Sequence, residues 1–207
     1  MKEAGGNVRI WLAVLIGWVA ATQGLAADFS FPEPTDIRTI LLTISTAGNV
    51  NLLIGTGVEG LTRFEAKNLT AEQAIVQAAI GAGFTVRKRD NLLAVRLKGL
   101  SPGRVDEDPR RYFRPGQTVS VRYAGARPAR TILADVARQL GVPYRLHKLA
   151  RGDVIANVRD VNPRTFMNVF CEAMGFGWGT TRNVLVVAQW FRAQHYVVEM
   201  GVDGRTE

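Results

Sequence analysis

The chain has 207 residues, of which 47% are hydrophobic and 21% charged, with a formal net charge of +8. That balance supports a packed core and excludes a wholly disordered chain. A single cysteine excludes an internal disulfide framework and a thiolate zinc cluster.

Residues 1–27 read as a signal peptide. Lys2 and Arg9 precede an apolar run over 10–21, and Gly24-Leu25-Ala26 then offers the small residues of a cleavage site. The run is too short for a comfortable membrane span, and no later stretch approaches the ~20 apolar residues a span needs. No transmembrane span is therefore expected in the mature chain. Export also changes the meaning of the basic charge, because the polyanions met outside the cytoplasm are lipid headgroups, cell-wall polymers and acidic protein faces.

The next segment opens with Phe29-Ser30-Phe31, an alternating strand pattern. Ile37, Ile40, Leu41 and Ile44 then recur at helical spacing, with Gly48 as the stop. Two short strands over 50–54 and 62–66 follow. Thr70-Ala71-Glu72-Gln73 carries the capping-box pattern and starts a second helix with Ala74, Ile75 and Ala78 inward. A hairpin over 84–87 and 92–97 turns near Asp90-Asn91. Residues 98–117 are rich in Pro, Gly and charge and read as a linker.

The same order then repeats. A shift of 92 positions aligns 29–97 with 121–189 without a gap, placing Arg38-Thr39-Ile40-Leu41 on Arg130-Thr131-Ile132-Leu133 and Gly83-Phe84 on Gly175-Phe176. Val119, Val121 and Tyr123 give the strand. Ala129, Ile132, Leu133, Val136 and Leu140 give the first helix, begun by Pro128 and stopped at Gly141. Strands over 142–146 and 154–158 follow, and Asn162-Pro163 starts a helix whose stripe is Phe166, Met167, Phe170, Cys171 and Met174. A hairpin over 176–180 and 184–188 closes the unit. The expected fold is α+β: two tandem small β-α-β-β-α-β-β domains, at 28–97 and 118–190, each with two helices packed on small mixed sheets. A loose tail, 191–207, completes the chain.

The first unit resembles the short secretin and TonB N-terminus domain. The likeness rests on Phe29-Ser30-Phe31, on Val50-Asn51-Leu52-Leu53-Ile54, on Asn68-Leu69-Thr70-Ala71-Glu72-Gln73-Ala74, and on the exit Gly81-Ala82-Gly83-Phe84-Thr85-Val86. The second unit is similar more loosely, with Pro163-Arg164-Thr165-Phe166 at its helix start, and it also fits other periplasmic secretin modules. The resemblance implies a periplasmic location, possible association with the outer membrane, and recognition in place of catalysis. Implied partners are proteins of the cell envelope: a secretin, a pilus component or an inner-membrane assembly protein. Signalling from a TonB-dependent receptor to an anti-sigma regulator is an alternative, and binding of a polyanion such as DNA or cell-wall polymer is another.

No catalytic, cofactor or metal constellation stands out. His147 and His195 are far apart, and Cys171 shares a stripe with large apolar residues. The clusters Gly55-Thr56-Gly57 and Gly175-Phe176-Gly177-Trp178-Gly179 lack a phosphate-loop lysine and read as turns. Asp106-Glu107-Asp108 lies in the linker, and Trp178, Trp190, Phe191 and Tyr196 are assigned to packing of the last hairpin. The candidate partner-binding residues are Phe29 and Phe31 on one opening strand and Val119, Val121 and Tyr123 on the other, as strand edges. Arg110, Arg111 and Arg114 are the candidates for steering an acidic partner.

Overall fold

A computed structural model describes residues 25–100, 113–147, 151–181 and 184–188. Residues 1–24 of the expected leader, the body of the expected linker with Arg110 and Arg111, the run Asp106–Asp108, and the tail with Trp190, Phe191, His195 and Tyr196 lie outside these residues.

The fold of the described residues is mixed α+β, with four helices on small mixed sheets. In chain order the first half comprises β1 (Ala27–Asp36), α1 (Ile37–Ala47), β2 (Asn51–Ile54), β3 (Leu61–Leu69), α2 (Ala71–Gly81), β4 (Thr85–Arg89) and β5 (Leu92–Arg96). The second comprises β6 (Val119–Arg122), the short β7 (Arg127–Pro128), α3 (Ala129–Leu140), β8 (Tyr144–Leu146), β9 (Asp153–Val161), α4 (Pro163–Met174), β10 (Gly177–Thr181) and β11 (Val184–Ala188).

Local chemistry explains the helix boundaries. Thr70 Oγ1 accepts from the Gln73 amide at 3.2 Å while the Gln73 side chain accepts from the Thr70 amide at 2.9 Å, so two orphan donors are satisfied at once. Asn162 caps α4 by accepting from the Arg164 amide, with Pro163 in the first turn. Asp36 caps α1, accepting from the amide of Arg38 and bonding its guanidinium. The guanidinium of Arg38 holds the Asp36 carboxyl below its usual range. Gly141 and Gly175 end α3 and α4 in the left-handed conformation, at φ 68° and 69°.

β1 differs from the sequence expectation. It runs ten residues, through Pro32 and Pro34, where a three-residue strand was expected. A proline cannot donate to a ladder, but a strand with one neighbour tolerates it where the missing N–H would face away. The register with β3 shifts between Phe31 and Thr35, around those prolines. The second glycine cluster also differs. Only Gly175 serves a turn, whereas Gly177 and Gly179 lie inside β10 and flank the inward-pointing Trp178.

The described strands form three sheets. β1 and β3 make an antiparallel ribbon, and β10-β11-β8 make a three-stranded sheet. The third runs β4-β5-β2-β9-β6, with β7 also on β9, and so takes strands from both halves. Within each half the hairpin and the parallel pair recur: β5 pairs antiparallel with β4 and parallel with β2, as β11 does with β10 and β8. The halves join where β2 pairs antiparallel with β9, setting Leu52 against Asn157, Leu53 against Ala156 and Ile54 against Ile155.

This joint is built from both faces. Leu52, Ile54, Leu93 and Val95 pack into a core with α1 and α2, which Ile155 also enters. Leu53, Leu92 and Ala94, on the opposite face, pack into the second core with α3 and α4. The β2–β5 strands are thus covered on both sides, as their uninterrupted apolar runs require. α4 lies between the two sheets and is buried almost all round, with Phe166, Met167, Val169 and Phe170 at or below 1% exposure.

Polar groups complete the joint. The Asn51 side-chain amide donates to the Arg159 carbonyl at 3.0 Å and accepts from its amide at 2.7 Å, extending the ladder by a side chain. Buried Asn157 donates to Ser45 Oγ at 2.5 Å, and Ser45 in turn donates to the Val50 carbonyl. Thr165 bonds Asp90, and Arg89 pairs with Glu172 at 3.2 Å. The linker is anchored at both ends: Arg96 donates to the Leu100 carbonyl at 2.7 Å, and Phe113 packs on Trp178 with centroids 5.9 Å apart.

Candidate functional site

Strand edges are the natural place to look for a partner in a fold of small sheets, because an edge presents unpaired backbone donors and acceptors. β1, β6 and β4 are three of these edges.

β6 ends the sheet that spans both halves, and among the described residues it pairs with β9 alone. Its side chains alternate strictly, with Val119 and Val121 in the core and Ser120 and Arg122 exposed. A partner could therefore reach only the backbone at Val119 and Val121. Part of that backbone is already used. Gln139, on the last turn of α3, accepts from the Ser120 amide at 3.0 Å and donates to the Ser120 carbonyl at 2.9 Å. One side-chain amide thus does at Ser120 what a neighbouring strand would do. A bulge at the same point lets Ser120 Oγ accept from the Asp160 amide, which further breaks the regular edge.

Tyr123, just beyond β6, is held inward. Its hydroxyl donates to the Asp135 carboxylate, and the Arg127 guanidinium sits 5.9 Å from its ring. Burial, then the Asp135 hydrogen bond, pushes the phenol up to about 12. The Tyr123 bond, assisted by Arg138, holds the Asp135 carboxyl below its usual range. Tyr123 thus packs β6 onto α3.

β4 ends the same sheet on the other side. It exposes Arg87, Lys88 and Arg89, of which Lys88 pairs with Glu72 at 2.7 Å and Arg89 with Glu172. A row of like charges on an edge strand is the usual protection against unwanted pairing.

β1 is different. Among the described residues it pairs with β3 alone, in a two-stranded ribbon, with Phe29 opposite Ala66, Ser30 opposite Glu65 and Phe31 opposite Phe64. Phe29 and Phe31 are half-buried against the first core, and Ser30 between them is exposed. The position equivalent to Gln139 in the first half is Ala47, whose methyl cannot reach a backbone edge. No side-chain bond to the backbone of Phe29, Ser30 or Phe31 occurs among the described residues. The two opening strands predicted as partner edges therefore end up unlike: among the described residues β6 is occupied at its centre and β1 is not.

Arg114, the described member of the predicted arginine trio, is exposed, and its amide donates to the Gln117 side chain at 2.8 Å. It is not drawn together with β1. Among the described residues, no group of three or more His, Cys, Asp or Glu is placed to hold a metal ion. Cys171 is fully buried, and burial pushes its thiol well above the usual range. His147 follows β8 and borders a cleft of about 190 Å³ with Arg145, Leu146 and Val186. No described helix is long and apolar enough to cross a membrane.

The role of Gln139 was not foreseen from the sequence. Its only signal was a polar residue near a helix end, which ordinarily faces solvent. No protein-family model and no curated protein matches this chain.

Proposed function

We propose that the chain is a non-enzymatic protein-interaction module of the cell envelope, built from two tandem units of the secretin and TonB N-terminus kind. It captures a protein partner by strand addition at the outer edge of β1. After export the module sits in the periplasm, where a partner of a secretin-type or pilus-type machine is the fitting class.

One observation carries this reading. Among the described residues, β1 alone of these three edges combines an unpaired side, no charge row and no side chain on the backbone of Phe29, Ser30 or Phe31, two of them aromatic. Main-chain bonds along residues 27–31 would supply affinity, and alternate side chains of the added strand would lie on the face that carries Phe29 and Phe31. The recurrent pairing of β4-β5-β2 and β10-β11-β8 supports the tandem-unit reading.

The test is capture from an envelope extract by residues 28–207, compared with Ser30→Pro and Phe29→Pro. Successive amides in a strand face opposite sides, so one of these two prolines removes an outward donor and the other a ladder donor. The reading expects a specific retained protein to be lost with the outward-facing variant while its β3 amides stay protected from exchange. Equal capture by both variants would eliminate strand addition at β1.

A further inference from the structure

The likeness of the two halves extends to the pair of strands that carries each first helix. β1 meets β3 as β6 meets β9: Ala27 opposite Leu69 matches Val119 opposite Val161, and Ser30 opposite Glu65 matches Arg122 opposite Asn157. The bulge recurs as well. Asn68 and Asp160 sit at φ 55° and 51°, and Asp28 accepts from the Asn68 amide where Ser120 accepts from that of Asp160. The second edges differ. β9 carries β2 along its second edge, whereas β3, among the described residues, pairs with β1 alone.

The open edge of β3 can be read from its occupied counterpart. Arg159 turns both its amide and its carbonyl to the β2 side, where the Asn51 side chain bonds them. Its equivalent is Lys67, so Lys67, Glu65 and Arg63, at alternate positions, present their backbone groups on the open side. Their side chains are exposed, and no ion pair involves them among the described residues. A strand as apolar as β2 suits Ile155 and Asn157 of β9, but here it would set its isoleucine and leucine against Arg63 and Glu65. The occupant of this edge must be charged.

We propose that the open edge of β3 takes the β3 strand of a second copy, antiparallel about a two-fold axis, so that two ribbons join into one four-stranded sheet. Residues 63–65 read basic, apolar, acidic, and an antiparallel copy reads the reverse, so the segment is its own complement. Outward backbone groups must meet outward groups, which restricts the register to steps of two residues. With Phe64 opposite Phe64, each Arg63 faces Glu65 of the other copy and exchanges main-chain bonds with it. Lys67 then lies opposite Leu61, which is 74% exposed and gains cover from the lysine stem. One step either way sets Glu65 on Glu65 or Arg63 on Arg63, and like charges directly opposite are unfavourable. Ala66 opposite Ala66 restores unlike pairs but brings Asn68, with its left-handed backbone, into the ladder.

The helix beside this edge permits the approach. α4, the counterpart of α2, faces the first half with Thr165 and Glu172, which bond Asp90 and Arg89. The same positions of α2 are Gln73 and Ile80, both exposed and uncharged, with Ile80 60% exposed. A pairing of like edges also closes on itself, and it leaves the outer edge of β1 open at both ends of the joined sheet. The inference is thus independent of the proposed capture at β1.

Sedimentation velocity of the full chain tests it, with the parent expected to be dimeric by ~0.1 mM. Arg63→Glu sets acid on acid at both pairs, and Glu65→Arg sets base on base. Each variant alone should dimerise at least ~tenfold more weakly. Mixed in equal amounts they should recover the dimer, because an acidic copy then faces a basic one at both pairs, and recovery shows that both variants are folded. Lys67→Glu, placed opposite Leu61, should not weaken the dimer. A parent that stays monomeric would overturn the inference and leave this edge to a foreign strand. Dimerisation indifferent to both reversals, or a mixture that fails to restore it, would overturn it as well.

Discussion

Replacing Gly55 by alanine adds one methyl group at a close approach between the halves. A Cβ there would lie 2.2 Å from the carbonyl oxygen of Ala173, 3.0 Å from its carbonyl carbon and 3.3 Å from its Cβ. The first two are backbone atoms of α4, so no side chain can swing aside, and the helix must shift against β2 and β5. Overpacking of this kind costs ~1–3 kcal/mol, and the backbone contact argues for the upper end. Alanine also restricts the unfolded chain, which offsets about 0.4–1 kcal/mol, because Gly55 is not among the positive-φ glycines and its conformation suits any residue. The net loss is about 2 kcal/mol, or roughly 4–8 °C in Tm for a chain of this size. Thermal melting followed by circular dichroism reads it directly. Gly81→Ala is the control. Its Cβ would meet nothing within 4 Å, and removing glycine from a helix should add ~0.5–1 kcal/mol. If Gly55→Ala melted with or above the parent chain, the close approach of α4 to Gly55 would be wrong.

Other consequences of the same geometry are open to measurement. Gln139→Ala uncovers the Ser120 edge, so the variant should self-associate in sedimentation at concentrations where the parent is monodisperse; unchanged sedimentation would contradict the blocking role. Asp135→Asn should bring the Tyr123 phenol down from about 12 in an ultraviolet titration, yet leave it above 10 because burial is the larger cause. The sign for stability follows: what Tyr123 contributes is complete below pH 10 and is lost as the pH rises from about 10 towards 12, so Tyr123→Phe should flatten that alkaline limb. Asp36 works in the opposite direction, since its folded carboxyl is depressed. Its contribution is present above the ordinary value of 3.8 and fades as the pH falls below it, so Asp36→Asn should keep the cap but reduce the acid sensitivity of melting. Cys171 should resist a thiol reagent in the native chain and react only on unfolding; prompt native labelling would contradict its burial.

The elements fixed by local chemistry were legible before the structure. The Thr70–Gln73 box, the Asn162-Pro163 start and the apolar spacings of all four helices need only neighbours within a turn or two, and each lies where that chemistry puts it. The joint was not legible, because its parts are distant in sequence. Asn51 and Arg159 look like ordinary surface residues until β2 and β9 lie side by side, and Asn157 looks misplaced in an apolar strand until Ser45 is opposite. The Leu92–Arg96 run did carry a usable hint, since a strand apolar at successive positions needs cover on both faces. The two opening strands shared a pattern but not a fate. They differ in length and in the sheet they join, and at the edge backbone itself in one side chain from a neighbouring helix, Gln139 against Ala47.

Hydrogen exchange of the full chain, free and bound to whichever envelope protein it captures, tests the central claim most directly. Strand addition at β1 predicts that alternate amides over residues 27–31 slow on binding, while those of β6 and β4 do not change. Slowing confined to β6, or bound-state protection that leaves residues 27–31 untouched, would contradict it.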